Sequence, residues 1–373
     1  MKLARDPKFQ ALFAIRGVSA NVIRLSLDQI VGPKGNKEFT DLITVMGCNV
    51  GPKFDKSKLQ FNKIIIASDA DVDGFFIRSL LLAFFFKLYP DLIRDGRIYI
   101  AEPPLYRIDD KKDPFVINKV DYVDRYVKMV MKDYRLGYQY GDDELKIDWF
   151  SKAELHDFLN ETSSYADDMM TIVNHYKIND RLLEILFEEV ASLGIEANDK
   201  NIPEMLKRIN IQSLMNRIGR EFKELEYDDN RGLIIGAIDA KQQVVELSAQ
   251  LLKRGMELIG WIQKWAPDGK QIVLKAQKTS TEYRLSILGI MKMLKRYQPN
   301  ILHRFKGLGE NDDDDLRTTI MDPNTRTLIK VNIGDIENDM KIIQMLRGGS
   351  PVDALSRKQM MRGYRIPRDL IDT

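Results

Sequence analysis

Hydrophobic positions along this chain change their spacing from one region to the next. Lys63-Ile64-Ile65-Ile66-Ala67-Ser68 is a short β-branched apolar run, the signature of a strand buried on both faces. Phe75 to Tyr89 is long enough for a helix, with Pro90 marking its expected end. Asp95-Gly96 turns the chain, and Arg97-Ile98-Tyr99-Ile100-Ala101 reads as a second strand before Pro103-Pro104. Strand, helix and strand in this order predict a βαβ unit with parallel pairing and a right-handed crossover. Phe84-Phe85-Phe86 falls inside it as expected core filling.

Further along, helical spacing dominates. Ala153 to Leu159, Asp180 to Leu193, Val244 to Trp265 and a basic stretch from Thr281 to Tyr297 all read as helices. Asn198-Asp199-Lys200-Asn201, Asp228 to Gly232 and Ala266-Pro267-Asp268-Gly269 punctuate them as turns. The fold class expected is α/β: a Rossmann-like parallel sheet with flanking helices, a mostly helical α+β insert and a C-terminal tail.

Composition narrows the function classes. The 373 residues suffice for two to three domains, and a chain of this length buries a core without covalent staples. A single cysteine, Cys48, excludes an internal disulfide framework and suits a reducing compartment. Residues 1–10 lack the apolar centre of a signal peptide, and Phe75 to Phe86 is too short to span a bilayer. The expectation is an intracellular, cytoplasmic protein with no membrane partner. The net charge of +2 hides an uneven distribution. Residues 1–108 carry 16 Lys/Arg against 11 Asp/Glu, residues 142–204 carry 5 against 16, and residues 269–306 carry 9 against 1. Separated basic and acidic blocks allow one surface to meet a polyanion while another faces solvent.

The acidic loop Asp69-Ala70-Asp71-Val72-Asp73-Gly74 follows the first predicted strand, at the edge where open α/β sheets bind ligands. Asp69, Asp71 and Asp73 would repel one another unless a cation neutralised them. Oxygen-only ligands favour Mg²⁺, with Mn²⁺ as an alternative, over zinc. An EF-hand calcium loop opens with the same D-x-D-x-D-G, but its twelfth position would be Leu80 and its leading helix is replaced by Ile64 to Ile66. A polar turn capping the next helix explains one of these acids, not three. Asp312 to Asp315, by contrast, is best explained as charge at a helix N-terminus. His156, His175 and His303 have no spacing that suggests a zinc site.

Ile66-Ala67-Ser68-Asp69-Ala70-Asp71-Val72-Asp73-Gly74, with Ile77-Arg78-Ser79-Leu80-Leu81-Leu82, resembles the TOPRIM domain of type IIA DNA topoisomerases. Further blocks occur in the family's order: Arg5-Asp6 with Arg16-Gly17 and Asn21, Leu42-Ile43-Thr44 with Gly47-Cys48, Ala101 to Tyr106, Arg304 to Glu310, and Met321-Asp322-Pro323. The resemblance is to the C-terminal half of gyrase B and topoisomerase IV B-like subunits. It implies a TOPRIM domain over residues 1–110, an acidic, mostly helical insert over 111–298, and a KGLGE-containing tail over 299–373 that packs on TOPRIM.

The resemblance also implies that Asp69, Asp71 and Asp73 hold catalytic Mg²⁺ beside a scissile phosphate of double-stranded DNA. Arg16, Arg78, Arg304 and Lys306 become candidate DNA contacts. None of the 14 tyrosines stands in the family's arginine–tyrosine context, so a gyrase A-like subunit is expected to supply the nucleophile. Arg125-Tyr126, the only Arg-Tyr pair near an apolar segment, is read as surface packing. The family's remaining TOPRIM glutamate motif would fall upstream of Met1. This predicts an ATPase-bearing subunit that supplies the glutamate and uses ATP, which this chain does not bind. The expected assembly is a heteromeric complex with two copies of each chain, of the split kind found in large bacterial viruses. Another class remains open, a non-catalytic DNA-binding or assembly module of a topoisomerase-like complex. Phe76 stands where gyrase-like sequences usually have His, Val18 where they usually have Lys, and no clear arginine-rich closing motif follows Leu346.

Overall fold

A computed structural model describes residues 1–15, 20–31, 35–140, 147–198, 200–218, 222–228, 233–238, 244–267 and 270–363. The chain divides into two compact units, one formed by Met1–Lys119 and Asn300–Thr373, the other by Val120–Pro299.

The first unit begins with the helices α1 (Leu27–Val31) and α2 (Lys37–Met46). The strand β1 (Ile64–Ala67) follows, then α3 (Val72–Leu88), α4 (Pro90–Arg94) and β2 (Ile98–Ala101). The parallel pairing expected of the βαβ unit is present, with Ile64 opposite Ile98 and Ala67 opposite Ala101. α3 starts three residues earlier than its apolar spacing suggested, because the Asp71 carboxylate accepts the Gly74 N–H at 2.7 Å and caps it. Pro90 opens α4 rather than only ending α3; proline at a first helical position has no N–H to leave unpaired. The short strands β3 (Tyr106–Ile108) and β4 (Phe115–Val116) complete this first pass.

The second unit is less helical than its spacing suggested. It runs α5 (Lys119–Asp133), β5 (Tyr134–Tyr140), β6 (Ile147–Trp149), α6 (Lys152–Thr162), α7 (Tyr165–Tyr176), α8 (Asp180–Ser192), α9 (Ile202–Arg208) and α10 (Ile211–Ile218). Then come β7 (Phe222–Asp228), β8 (Leu233–Ile238), β9 (Val244–Leu247), α11 (Ala249–Trp265), β10 (Lys270–Ala276), β11 (Glu282–Arg284) and α12 (Ile287–Leu294). Two sheets result, ordered β11-β10-β5-β6 and β7-β8-β9. The stretch from Val244 therefore splits: its β-branched start pairs as β9, and Ser248 caps the helix proper. The basic stretch from Thr281 divides likewise into β11 and α12, capped by Ser286. Arg125-Tyr126 is not surface packing. Tyr126 is fully buried in this unit's core, while Arg125 pairs with Asp121 one helical turn earlier at 2.9 Å.

The chain then returns to the first unit through β12 (Ile301–Arg304), which pairs antiparallel with β3. α13 (Asp313–Leu316) and a π-helical turn at Arg317–Met321 lead to β13 (Leu328–Lys330), antiparallel to β2. The helices α14 (Ile336–Arg347) and α15 (Pro351–Gly363) follow. The sheet β1-β2-β13 has a cluster against each face. Ile64, Ile66 and Ile98 join Phe39, Phe84, Phe85 and Tyr89 on one side, with Phe39 and Phe84 stacked at 4.7 Å. Ile65, Ala67 and Ala101 join Ala4, Leu316, Ile320 and Met321 on the other.

Candidate functional site

The acidic loop leaves the C-terminal end of β1, and each of its carboxylates has a different setting. Asp69 is half-buried, and its Oδ1 accepts the backbone N–H of Leu308 at 2.7 Å. This bond joins the acidic loop to the Lys306-Gly307-Leu308-Gly309-Glu310 turn. Gly307 permits the approach, because a Cβ there would lie 3.2 Å from the Asp69 Cγ and Oδ1. Asp71 spends one oxygen as the cap of α3. Asp73 lies in the first turn of that helix, exposed and without a hydrogen bond or ion pair among the described residues.

Gly74 is required by crowding. A Cβ on it would run into the Asp69 backbone, 2.7 Å from the carbonyl carbon. Among the described residues no group of three or more His, Cys, Asp or Glu is placed to hold a metal ion. The donor set nevertheless fits a hard divalent cation. Asp69 and Asp71 each keep an oxygen outside their backbone bonds, and a carboxylate oxygen can accept more than one partner.

The candidate DNA contacts fall into three situations. Arg78 is half-buried on α3; its Nε donates to the Ser68 hydroxyl at 3.2 Å and its guanidinium stacks on Phe75. Burial pulls its pKa down, while the Glu102 carboxylate opposes that shift. Arg304 and Lys306 are exposed, and neither has an ion pair among the described residues. The Lys306 N–H, on the backbone, donates to Glu310 Oε2 at 2.9 Å and tightens the turn. Arg16 lies outside the described residues, as does the Val18 departure.

Two features escaped the sequence reading. Glu102 follows β2, near enough for its charge to act on Arg78, and the strand register brings it there. Arg347 stacks its guanidinium over the Phe76 ring at 4.3 Å and donates to the Ser79 hydroxyl. The Asp312 to Asp315 run sits as expected at a helix start: Asp312 accepts the Asp315 N–H at 2.7 Å. Asp315 itself is buried and meets Arg107 at 3.4 Å.

A parallel strand runs into an Asp-rich loop, and a backbone hydrogen bond ties that loop to a Gly-x-Gly turn. The Toprim domain family matches residues 1–103, and the family described as DNA gyrase B subunit, carboxyl terminus, matches residues 298–361. The chain is homologous over 93% of its length to the B subunits of gyrase and type 2 topoisomerases, and it resembles their C-terminal half. The DNA gyrase B subunit of Rickettsia typhi is 30% identical over 367 residues. The type 2 topoisomerase B subunit of Aquifex aeolicus is 28% identical, and the DNA gyrase B subunit of Helicobacter pylori is 27% identical. Each match covers 93% of this chain and 42% of the relative, so the chain spans less than half the length of these curated relatives. No helix among the described residues is long and apolar enough to cross a membrane.

Proposed function

We propose that this chain is the Toprim-bearing part of a heteromeric, ATP-dependent type II DNA topoisomerase, with Asp69, Asp71 and Asp73 holding Mg²⁺ or Mn²⁺. A divalent ion at these carboxylates would stabilise charge on a scissile DNA phosphate and its leaving oxygen. The chain's own groups prepare that position. The Leu308 N–H fixes the Asp69 carboxylate, the Gly74 N–H orients Asp71, and Asp73 stands open to solvent. Lys306, on the turn that holds Asp69, and Arg304, at the end of β12, serve as phosphate contacts, with Arg78 and Arg16 as further contacts. A gyrase A-like subunit brings the nucleophilic tyrosine, and an ATPase-bearing subunit uses ATP.

The observation that carries this reading is the Asp69–Leu308 bond, because it ties the acidic loop and the basic, glycine-rich turn into one site. The test is Mn²⁺ binding to the full chain, measured by titration calorimetry in wild type and Asp71→Asn. At least a tenfold loss of affinity is expected, with the thermal midpoint little changed because Asn also caps helices. In the assembled enzyme, Asp71→Ala should end supercoil relaxation while assembly persists. Full relaxation by that variant would favour a non-catalytic DNA-binding or assembly module. That second reading has one observation behind it, the absence of a converged three-ligand group among the described residues.

A further inference from the structure

The second unit holds a cleft of about 880 Å³ between α8, α10, α11, β10 and the Leu285-Ser286 segment before α12. Its apolar lining comes from Ala191, Ile262, Ile272 and Leu285. Three carboxylates, of Glu188, Glu189 and Glu196, share that lining with two bases, Arg217 and Lys270. Both bases are already engaged. Arg217 pairs with Glu188 and lies 3.6 Å from Glu189, which also accepts the Ser213 hydroxyl at 3.0 Å. Lys270 holds its ammonium over the rings of Tyr138 and Tyr140, at 5.0 and 5.2 Å. Glu196 is exposed, and its carboxylate has no partner among the described residues.

Next to this lining are two buried polar atoms with nothing to bond. The Tyr165 hydroxyl on α7 and the Glu184 Oε1 on α8 have no hydrogen-bond partner among the described residues. Tyr165 is fully buried; burial drives its pKa up, and the charges of Glu184 and Glu188 add to that. Glu184 stands one helical turn before Glu188, and burial raises its pKa against the Ser286 hydroxyl, a cleft group that lowers it. An unmet carboxylate oxygen and an unmet phenol cost stability until a ligand satisfies them.

The geometry points to this cleft as a binding site for a linear alkyl polyamine. One terminal ammonium meets Glu184, Glu188 and the Tyr165 hydroxyl, another meets Glu196, and the methylenes lie on the apolar lining. An ammonium offers three donors and no acceptor, which matches a set of unspent acceptors. These acceptors occur both at the buried end and at the exposed rim, an arrangement for cations spaced along a chain rather than for one compact ion. The exposed Arg217 guanidinium is then an internal competitor for Glu188. The inference is independent of the catalytic reading, since every residue of the cleft belongs to the second unit.

The test is titration calorimetry of the full chain with spermidine, in the presence of Mg²⁺. One site with a Kd below about 100 µM is expected. Tyr165→Phe should weaken binding about fivefold without lowering the thermal midpoint, because the hydroxyl it removes is unpaired in the free protein. Glu196→Gln should weaken binding about threefold. Arg217→Gln should instead tighten it about threefold by releasing Glu188, an outcome that damage to the fold would not produce. Asp71→Asn should bind spermidine as the wild type does. No saturable binding, or equal affinity for trilysine, would overturn the inference. So would unchanged affinity in Tyr165→Phe, the mark of an internal water beside the hydroxyl, or a loss in Asp71→Asn, the mark of binding at the acidic loop.

Discussion

Two acidic runs of this chain look alike on paper and differ in the folded unit. Asp69 lies in a loop tied to the glycine-rich turn, Asp71 caps the long helix α3 and Asp73 stands in its first turn, whereas Asp312 to Asp315 cap and open a short helix. In the second run, Asp312 is a cap and Asp315 is buried against Arg107. In the first, Asp69 and Asp71 accept one backbone N–H each, and Asp73 accepts none. Local charge density therefore does not mark a ligand site.

The sharpest way to break this contrast is at Gly74. A methyl group there meets the Asp69 backbone, so Gly74→Ala should cost about 3 kcal/mol in urea unfolding and weaken Mn²⁺ binding at the same time. Wild-type values in both measurements would mean that the loop is not held by this close approach. A smaller effect separates the two caps. Asp71→Ala and Asp312→Ala should each lose about 1 kcal/mol, yet only the first should reduce Mn²⁺ affinity in calorimetry. Equal losses of Mn²⁺ would erase the distinction between the runs.

The smallest effect is at Asp315. Burial raises its pKa above the usual 3.8, outweighing the Arg107 guanidinium that pulls it down. The folded state then holds its proton more tightly than the unfolded state, so its contribution falls as pH rises above 3.8 through the folded pKa. Asp315→Asn should flatten that fall, changing stability at neutral pH by less than about 1 kcal/mol. Thermal midpoints of both proteins from pH 3 to 7 measure it, and a steeper decline in the variant would contradict the assigned sign.

The βαβ unit was legible because its signals are local. Three consecutive isoleucines specify a buried strand, and α3 is apolar nearly all round. The start of α3 was misjudged because an Asx cap and a metal-loop aspartate are the same residue, Asp71. In the second unit, β5 and β10 escaped notice because they pair with each other across well over a hundred residues, their local partners β6 and β11 are only three residues long, and strands such as Tyr134–Tyr140 alternate only weakly. Within the site, the acids and the glycine-rich turn could be recognised separately. That the Leu308 N–H holds Asp69 could not, since backbone donors carry no residue code.

The same bond has a consequence for synthesis. Asp69 and Leu308 are 239 positions apart, and the whole second unit lies between them. On a ribosome, the acidic loop is made before its clamp and must wait for it until that unit has emerged. β3 and β12, which meet at the two ends of the intervening segment, bring the distant halves together only after its closure entropy has been overcome. The acidic loop is translated well before the turn that fixes it, and it gains its order only once that turn has arrived.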